Sequence, residues 1–282
     1  MGISKKGNIS IKELYEKCKI KWSNFYVVCE DAQGDPDINF ELAPEDYLNF
    51  AKNNLKTNNK QNCVDGITNI KRAIDSQIDL LINSLGYDFK VFDNNQNIFV
   101  KNFINLNYKG ETSIGINSKL KLLNILGLAP TFLISNIRNI RNQVEHEYTI
   151  PKYKDLKIAI EVAELFINSS IRKFNISPGS LCVGNKYNQQ NFKWESPFLK
   201  IDLNTGSKNN SVEITYYLKS EDYYNCCSDN KICKNGKISL TIKDEFYIDI
   251  VNCFFSTNYN ILAKFFRYDI DEKYIQYTNL WG

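Results

Sequence analysis

The feature that most constrains the fold is a run of apolar residues between positions 64 and 85. Val64, Ile67, Ile70, Ile74, Ile78, Leu81 and Leu85 recur at steps of three and four, and Gly86 closes the run. That period matches one face of an α-helix, and a long helix with one apolar stripe needs partners to cover it. Candidate partners lie close by. Pro44 with Glu45 and Asp46 is a favourable helix start, followed by Leu48, Ala51 and Leu55 on one side. Downstream, Ile116, Leu120, Leu123 and Leu126 mark a helix ended by Gly127 and Pro130. A second runs from about Thr131 to Tyr148, with Leu133, Ile137, Ile140, Val144 and Tyr148 as its expected buried stripe. Beyond Pro151 a third carries Leu156, Ile160, Ala163, Ile167 and Ile171. Short connections between such helices predict antiparallel neighbours and hence a bundle over residues 44–175. Within it, residues 87–115 read as a β-hairpin or ordered lid, since Phe89, Val91 and Phe92 precede, and Ile98, Phe99 and Val100 follow, the polar run Asp93 to Asn97.

After Phe174 the pattern changes. Ser177-Pro178-Gly179 reads as a boundary, residues 176–190 as a linker, and residues 191–282 as a β-rich domain. The period becomes two in Val212 to Tyr216, Ile238 to Ile242 and Phe246 to Ile250, with turn signals at Thr205-Gly206 and Asn235-Gly236 between them. Residues 1–43 give no clear reading beyond a short helix near Ile11 to Ile20 and a loop from Asp31 to Pro36. The expected fold class is therefore α+β, an N-terminal helical bundle followed by a small, mostly antiparallel β domain.

Composition decides less. The abundance of Asn, Lys and Ile is what an AT-biased genome produces, and a net charge of +3 allows nucleic-acid binding without demanding it. Met1 to Cys18 lacks the apolar core of a signal peptide, no segment offers the roughly 20 apolar residues of a membrane span, and Lys6 stands where a myristoylation signal wants Ser or Thr. These features predict a cytoplasmic protein with no membrane association. Its eight cysteines include a close group, Cys226, Cys227 and Cys233. In a reducing compartment these are expected to be free thiols. A zinc site would want paired Cys or Cys/His spacing, and the single histidine is far away in sequence. No metal and no cofactor is expected.

The segment with the most chemistry is Arg138 to Tyr148. At about 100° per residue on a helix, Asn142 and His146 project away from the apolar stripe, with Arg141 on the flank. An imidazole, with its ordinary pKa near roughly 6.5, can accept or donate a proton at neutral pH. A guanidinium holds phosphate oxygens in a fork. Asn can hydrogen-bond a ribose hydroxyl or orient the imidazole. Together they suit RNA cleavage without a metal. One histidine cannot be acid and base in the same step, so a homodimer bringing two copies of the helix together would complete the set. The same residues also allow a purely structural arrangement. Arg141 and Glu145 are spaced for an i,i+4 ion pair, and a histidine in a last turn is favoured by the helix dipole. Lys71, Arg72 and Asp75 on the long helix, and Arg138 one turn before Asn142, are candidates to extend a phosphate-binding edge. Tyr216, Tyr217, Tyr223, Tyr224 and Trp281 are aromatics able to stack on bases, although strand aromatics more often belong to a core.

Arg141-Asn142-Gln143-Val144-Glu145-His146, an Arg-x4-His motif with Asn after the Arg and lying late in a helical bundle, resembles the signature of the HEPN superfamily. The resemblance covers roughly residues 44–174. It implies a dimeric, metal-independent endoribonuclease of the kind found in toxin–antitoxin and phage-defence systems. Arg141 and His146 would be its catalytic pair, Asn142 the supporting polar group, and an antitoxin or regulatory protein a partner. The extension to Tyr148 resembles the form in which that tyrosine is modified by a nucleotidyltransferase. The alternative belongs to another class, a non-catalytic HEPN-like dimerisation or nucleotide-binding module with a β docking domain for a partner protein. A zinc-dependent protein built on the cysteine group is a third reading, and predicts stoichiometric zinc.

Overall fold

A computed structural model of the chain describes residues 10–36, 40–93, 97–110, 116–205, 210–218, 236–266 and 271–279. The architecture is mixed α+β, and the chain separates into two compact units, one of residues 35–175 and one formed by residues 1–34 together with 176–282. In chain order, helix α1 (Ile11–Cys18) and strand β1 (Tyr26–Ala32) come first. Six helices follow: α2 (Pro44–Asn54), α3 (Lys60–Ser84), α4 (Ile98–Asn107), α5 (Ser118–Ile125), α6 (Thr131–His146) and α7 (Tyr153–Ile176). Strands β2 (Pro178–Gly184), β3 (Tyr187–Asn188), β4 (Lys193–Trp194), β5 (Phe198–Asn204), β6 (Ser211–Tyr217) and β7 (Lys237–Leu240) come next. Two further helices, α8 (Tyr247–Ser256) and α9 (Asn260–Phe265), a short 3-10 turn (Glu272–Tyr274) and strand β8 (Gln276–Asn279) complete the described elements.

Helix α3 organises the first unit. Ile67, Ile70, Ile74, Ile78, Leu81 and Leu85 are all buried, as their spacing predicts, and α2, α5, α6 and α7 pack around them. Gly86, at φ +90°, and Gly127, at φ +66°, take the left-handed conformation that ends α3 and α5, where a Cβ would be strained. The abundant asparagines serve a local purpose. The side chains of Asn59, Asn97 and Asn117 accept backbone N–H bonds at the starts of α3, α4 and α5.

In the second unit a six-stranded sheet runs β7-β6-β5-β2-β1-β8, antiparallel throughout except for the parallel β1–β8 pair. One face is apolar, with Val27, Leu181, Leu199, Ile201, Ile214 and Ile238 buried. α1 and α8 pack on the sheet. Across the other face Val28, Cys182, Phe198 and Tyr217 form an aromatic cluster with Tyr187 and Trp194 of the β3–β4 hairpin.

Four expectations need correction. Residues 176–190 are not a linker, because β2 occupies Pro178–Gly184 and pairs with β1 on one side and β5 on the other. For the same reason the N-terminal segment belongs with the C-terminal residues: Val27 to Cys29 are buried in the sheet, which no local pattern reveals. Residues 87–115 contain a helix, α4, and no hairpin is present among the described ones. Val100, Phe103 and Ile104 are its buried positions, a three-and-four step that the eye misses when it stops at Val100. Phe246 to Ile250 begins α8 rather than a strand. All but Asp249 and Ser256 of α8 are buried, so its apolar residues lie on every side and no period survives to be read.

Candidate functional site

Helix α6 packs on α3 through Ile134, Ile137 and Val144, with Ser135 also buried. This face is rotated from the expected stripe. Leu133 is 40% exposed, and Tyr148 lies beyond the end of the helix, 87% exposed. The rotation brings Arg138 and Arg141 toward α3 and leaves both half-buried.

Between the two helices lies an open cleft of about 380 Å³ lined by Lys71, Ile116, Asn117, Arg138, Arg141 and Asn142. Asp75 of α3 ties two of these cations together. It accepts from Arg138 through Oδ1 at 2.7 Å and pairs with Lys71 Nζ through Oδ2 at 2.7 Å, which fixes two cations with one carboxylate. Arg141 is held by Glu145 of its own helix in the i,i+4 pair, while its Nε is buried without a hydrogen-bond partner. The lining itself carries three cations and no carboxylate, while Asp75 and Glu145 pair with those cations and Asp93 bonds Asn117. Asn117 was not singled out by sequence. Its side chain caps α5 at the N–H of Leu120 and donates to Asp93 at 2.9 Å, and a helix-start asparagine was the only signal for it.

The expected site residues divide accordingly. Lys71, Arg138, Arg141 and Asn142 line one cleft. Arg72 is exposed and does not line it, since it sits on the next face of α3. His146 is exposed in the last turn of α6, one turn beyond Asn142, and is not among the cleft's lining residues. After it, the N–H groups of Glu147 and Thr149 both return to the carbonyl of Gln143, and Tyr148 takes φ +54° in the position where helix ends favour glycine. Neither packing nor backbone freedom accounts for a tyrosine there.

The remaining candidates are core or lie elsewhere. Tyr216 and Tyr217 are buried, Tyr216 donating to the carbonyl of Lys17 at 2.5 Å. Tyr223, Tyr224, Trp281, Cys226, Cys227 and Cys233 lie outside the described residues. Cys18, Cys29, Cys63, Cys182 and Cys253 are buried free thiols, and burial raises the pKa of Cys18, Cys29, Cys182 and Cys253, which leaves them poor nucleophiles. Among the described residues no group of three His, Cys, Asp or Glu side chains could hold a metal ion, and no helix is long and apolar enough to cross a membrane.

Comparison with known protein families, with curated proteins and with solved structures finds no match to this chain.

Proposed function

We propose that the chain is a HEPN-type, metal-independent endoribonuclease acting as a homodimer through the end of α6. The observation that carries this reading is the arrangement on α6. Arg138, Arg141 and Asn142 line a cleft with Lys71, three cations in one lining, and His146 stands exposed one turn further along the same helix. A phosphodiester seated against these cations would lie on the same helix as an imidazole able to exchange a proton with a ribose hydroxyl.

In the chemistry proposed, His146 takes the proton from a 2′-hydroxyl. The 2′-oxygen attacks phosphorus, and the bond from phosphorus to the 5′-oxygen breaks. The His146 of a second copy gives the leaving oxygen its proton, and Arg141 balances charge on the phosphorane. For this Arg141 must turn from Glu145 to the phosphate, an exchange of one half-exposed pair for another that costs little. Exposed Phe132 and Leu133 at the start of α6, and Tyr148 and Ile150 beyond its end, offer apolar surface for the second copy. Tyr148 is accessible to a modifying enzyme or a base. A cytoplasmic toxin or phage-defence effector, checked by an antitoxin or regulatory protein, is the setting this reading implies.

The reaction leaves a 2′,3′-cyclic phosphate and a 5′-hydroxyl. An RNA cut by the protein in EDTA should carry those ends, and a 2′-deoxy substitution at the scissile position should abolish the cut. Hydrolytic ends, or cleavage that survives the substitution, would exclude this mechanism.

The non-catalytic reading is favoured by one observation, the Arg141–Glu145 pair, which engages the motif's arginine within its own helix. A binding module predicts a dimer and RNA or nucleotide affinity with no cleavage.

A further inference from the structure

A second open cleft, of about 630 Å³, lies in the same helical unit and uses none of the motif residues. Its walls carry the aromatic rings of Phe40, Tyr47 and Phe89 and the polar side chains of Ser76, Asp79 and Asn83, with the exposed charges of Glu41 and Lys90 also lining it. Phe40 meets Phe89 edge-on at 5.4 Å, and Lys119 sits 5.7 Å from the Phe89 ring centre. Lys119 also holds Asp79 Oδ1 at 2.7 Å, which fixes that carboxylate on α3. Asp79 Oδ2 has no such pairing to the lysine.

Half-buried aromatics around a fixed carboxylate suit a flat ligand with hydrogen-bond donors on its edge. Among the RNA bases, guanine alone presents two adjacent donors, N1–H and the 2-amino group, along its pairing edge. Adenine and cytosine each set an acceptor beside their donor, and uracil has one donor between two acceptors. A carboxylate accepts and never donates when ionised, so it matches guanine and opposes the others.

The position of the cleft supplies the rest. Asp79 lies one turn after Asp75, the residue that pairs with Lys71 and Arg138 of the first cleft. α5 joins the two as well, because its start (Ile116 and Asn117) lines the first cleft and its Lys119 braces the second. Lys71 and Asp79 are eight residues apart on α3, about 12 Å along the axis. A single strand with its phosphates on the cations can therefore reach the aromatic cleft with a neighbouring base.

We propose that the cleft of Phe40, Tyr47, Phe89 and Asp79 is a guanine-binding subsite for single-stranded RNA, adjoining the cationic cleft of α3 and α6. It rests on the ribonuclease reading only for its role in choosing where RNA is cut. Base binding is a separate property and is measured separately.

The test is calorimetric titration of the full chain with GMP, AMP, CMP and UMP, and with a five-nucleotide RNA containing one G. GMP should bind at least tenfold more tightly than the other three. Asp79→Asn, which offers one acceptor and one donor, should shift preference from GMP to AMP. Because that change also frees Lys119, Tyr47→Leu serves as a second variant, and it should weaken GMP binding about tenfold through lost stacking. The oligonucleotide should bind more tightly than GMP, with an affinity that falls as salt rises. Equal binding of all four nucleotides, no binding at millimolar concentration, or GMP binding untouched by Tyr47→Leu would each overturn the subsite. An oligonucleotide no tighter than GMP would make the ligand a free guanine nucleotide and overturn the assignment to RNA. RNA cleavage without GMP binding removes this subsite and leaves the ribonuclease reading standing, and GMP binding without cleavage does the reverse.

Discussion

Single residues in this chain carry charge in places where water is scarce, and the consequences differ between the two units. In the helical unit the half-buried charges are paired: Asp75 with Lys71 and Arg138, Asp79 with Lys119. In the other unit Asp249 on α8 is half-buried. Burial, reinforced by Glu245, pushes its carboxyl up to about 6, with Lys264 opposing. A carboxyl whose folded pKa is raised stabilises the fold in its neutral form, fully below its unfolded pKa of roughly 4, and loses that contribution as pH rises through the folded value. Asp249→Asn, neutral at every pH, should therefore leave the melting temperature unchanged at pH 4. At pH 8 it should raise it by about 2–4 °C, the shift that 1 kcal/mol gives a chain of this size. A thermal melt of both proteins at the two pH values checks it, and an equal effect at both would mean that charge is not the cause. At the candidate site, too, the balance is set residue by residue. Arg141 has a partner in Glu145, an orphaned Nε and a place on the cleft wall, which gives it two competing states.

At the scale of elements, the helices of the bundle were legible wherever one face is buried and the other is wet. The stripe of α3, the proline start of α2 and the glycine end of α5 are each written locally. α6 shows the limit of that legibility. Leu133 and Ile134 are equally apolar, and only the packing against α3 decides that Ile134 is buried and Leu133 is not. That rotation of the helix also determines which polar residues reach the cleft, so the grouping of Lys71, Arg138, Arg141 and Asn142 was legible in kind but not in detail. The contact between α3 and α7 hides a polar pair that no periodicity reveals. Gln77 is fully buried and donates to Ser170 Oγ at 2.9 Å, while its own Oε1 has no partner. Ser170→Ala should cost about 1–3 kcal/mol, because it strands the amide as well. Gln77→Leu removes the orphan and the donor together and should be close to neutral. Chemical denaturation of the two variants tests this, and equal losses would show that the hydrogen bond is not what matters there.

For the whole molecule, the decisive feature is that the helical unit interrupts a pair of neighbouring strands. β1 and β2 are antiparallel partners, and the chain leaves one and rejoins the other across residues 35–175. Both ends are pinned close together. Gln33 donates to the carbonyl of Ser177 at 2.9 Å, and Asn175 to Asp35 at 2.5 Å. Sequence reading goes from one residue to the next and so took the two halves of the sheet for separate regions. The pairing of residues 26–32 with residues 178–184 is a long-range fact that neither segment announces. Adjacent ends are what an inserted domain requires. Replacing residues 35–175 by a short Asn-Gly turn should leave a folded sheet unit with a cooperative melt and a strand signal by circular dichroism. A molten or insoluble product would mean that the sheet depends on the insertion.

The ribonuclease reading stands or falls on His146. Purified wild type and His146→Ala should be incubated with total RNA and with tRNA in EDTA and resolved on a denaturing gel. The expected result is cleavage by the wild type alone. RNA left intact by both proteins, or cut equally by both, would contradict the assignment of the active site to the end of α6.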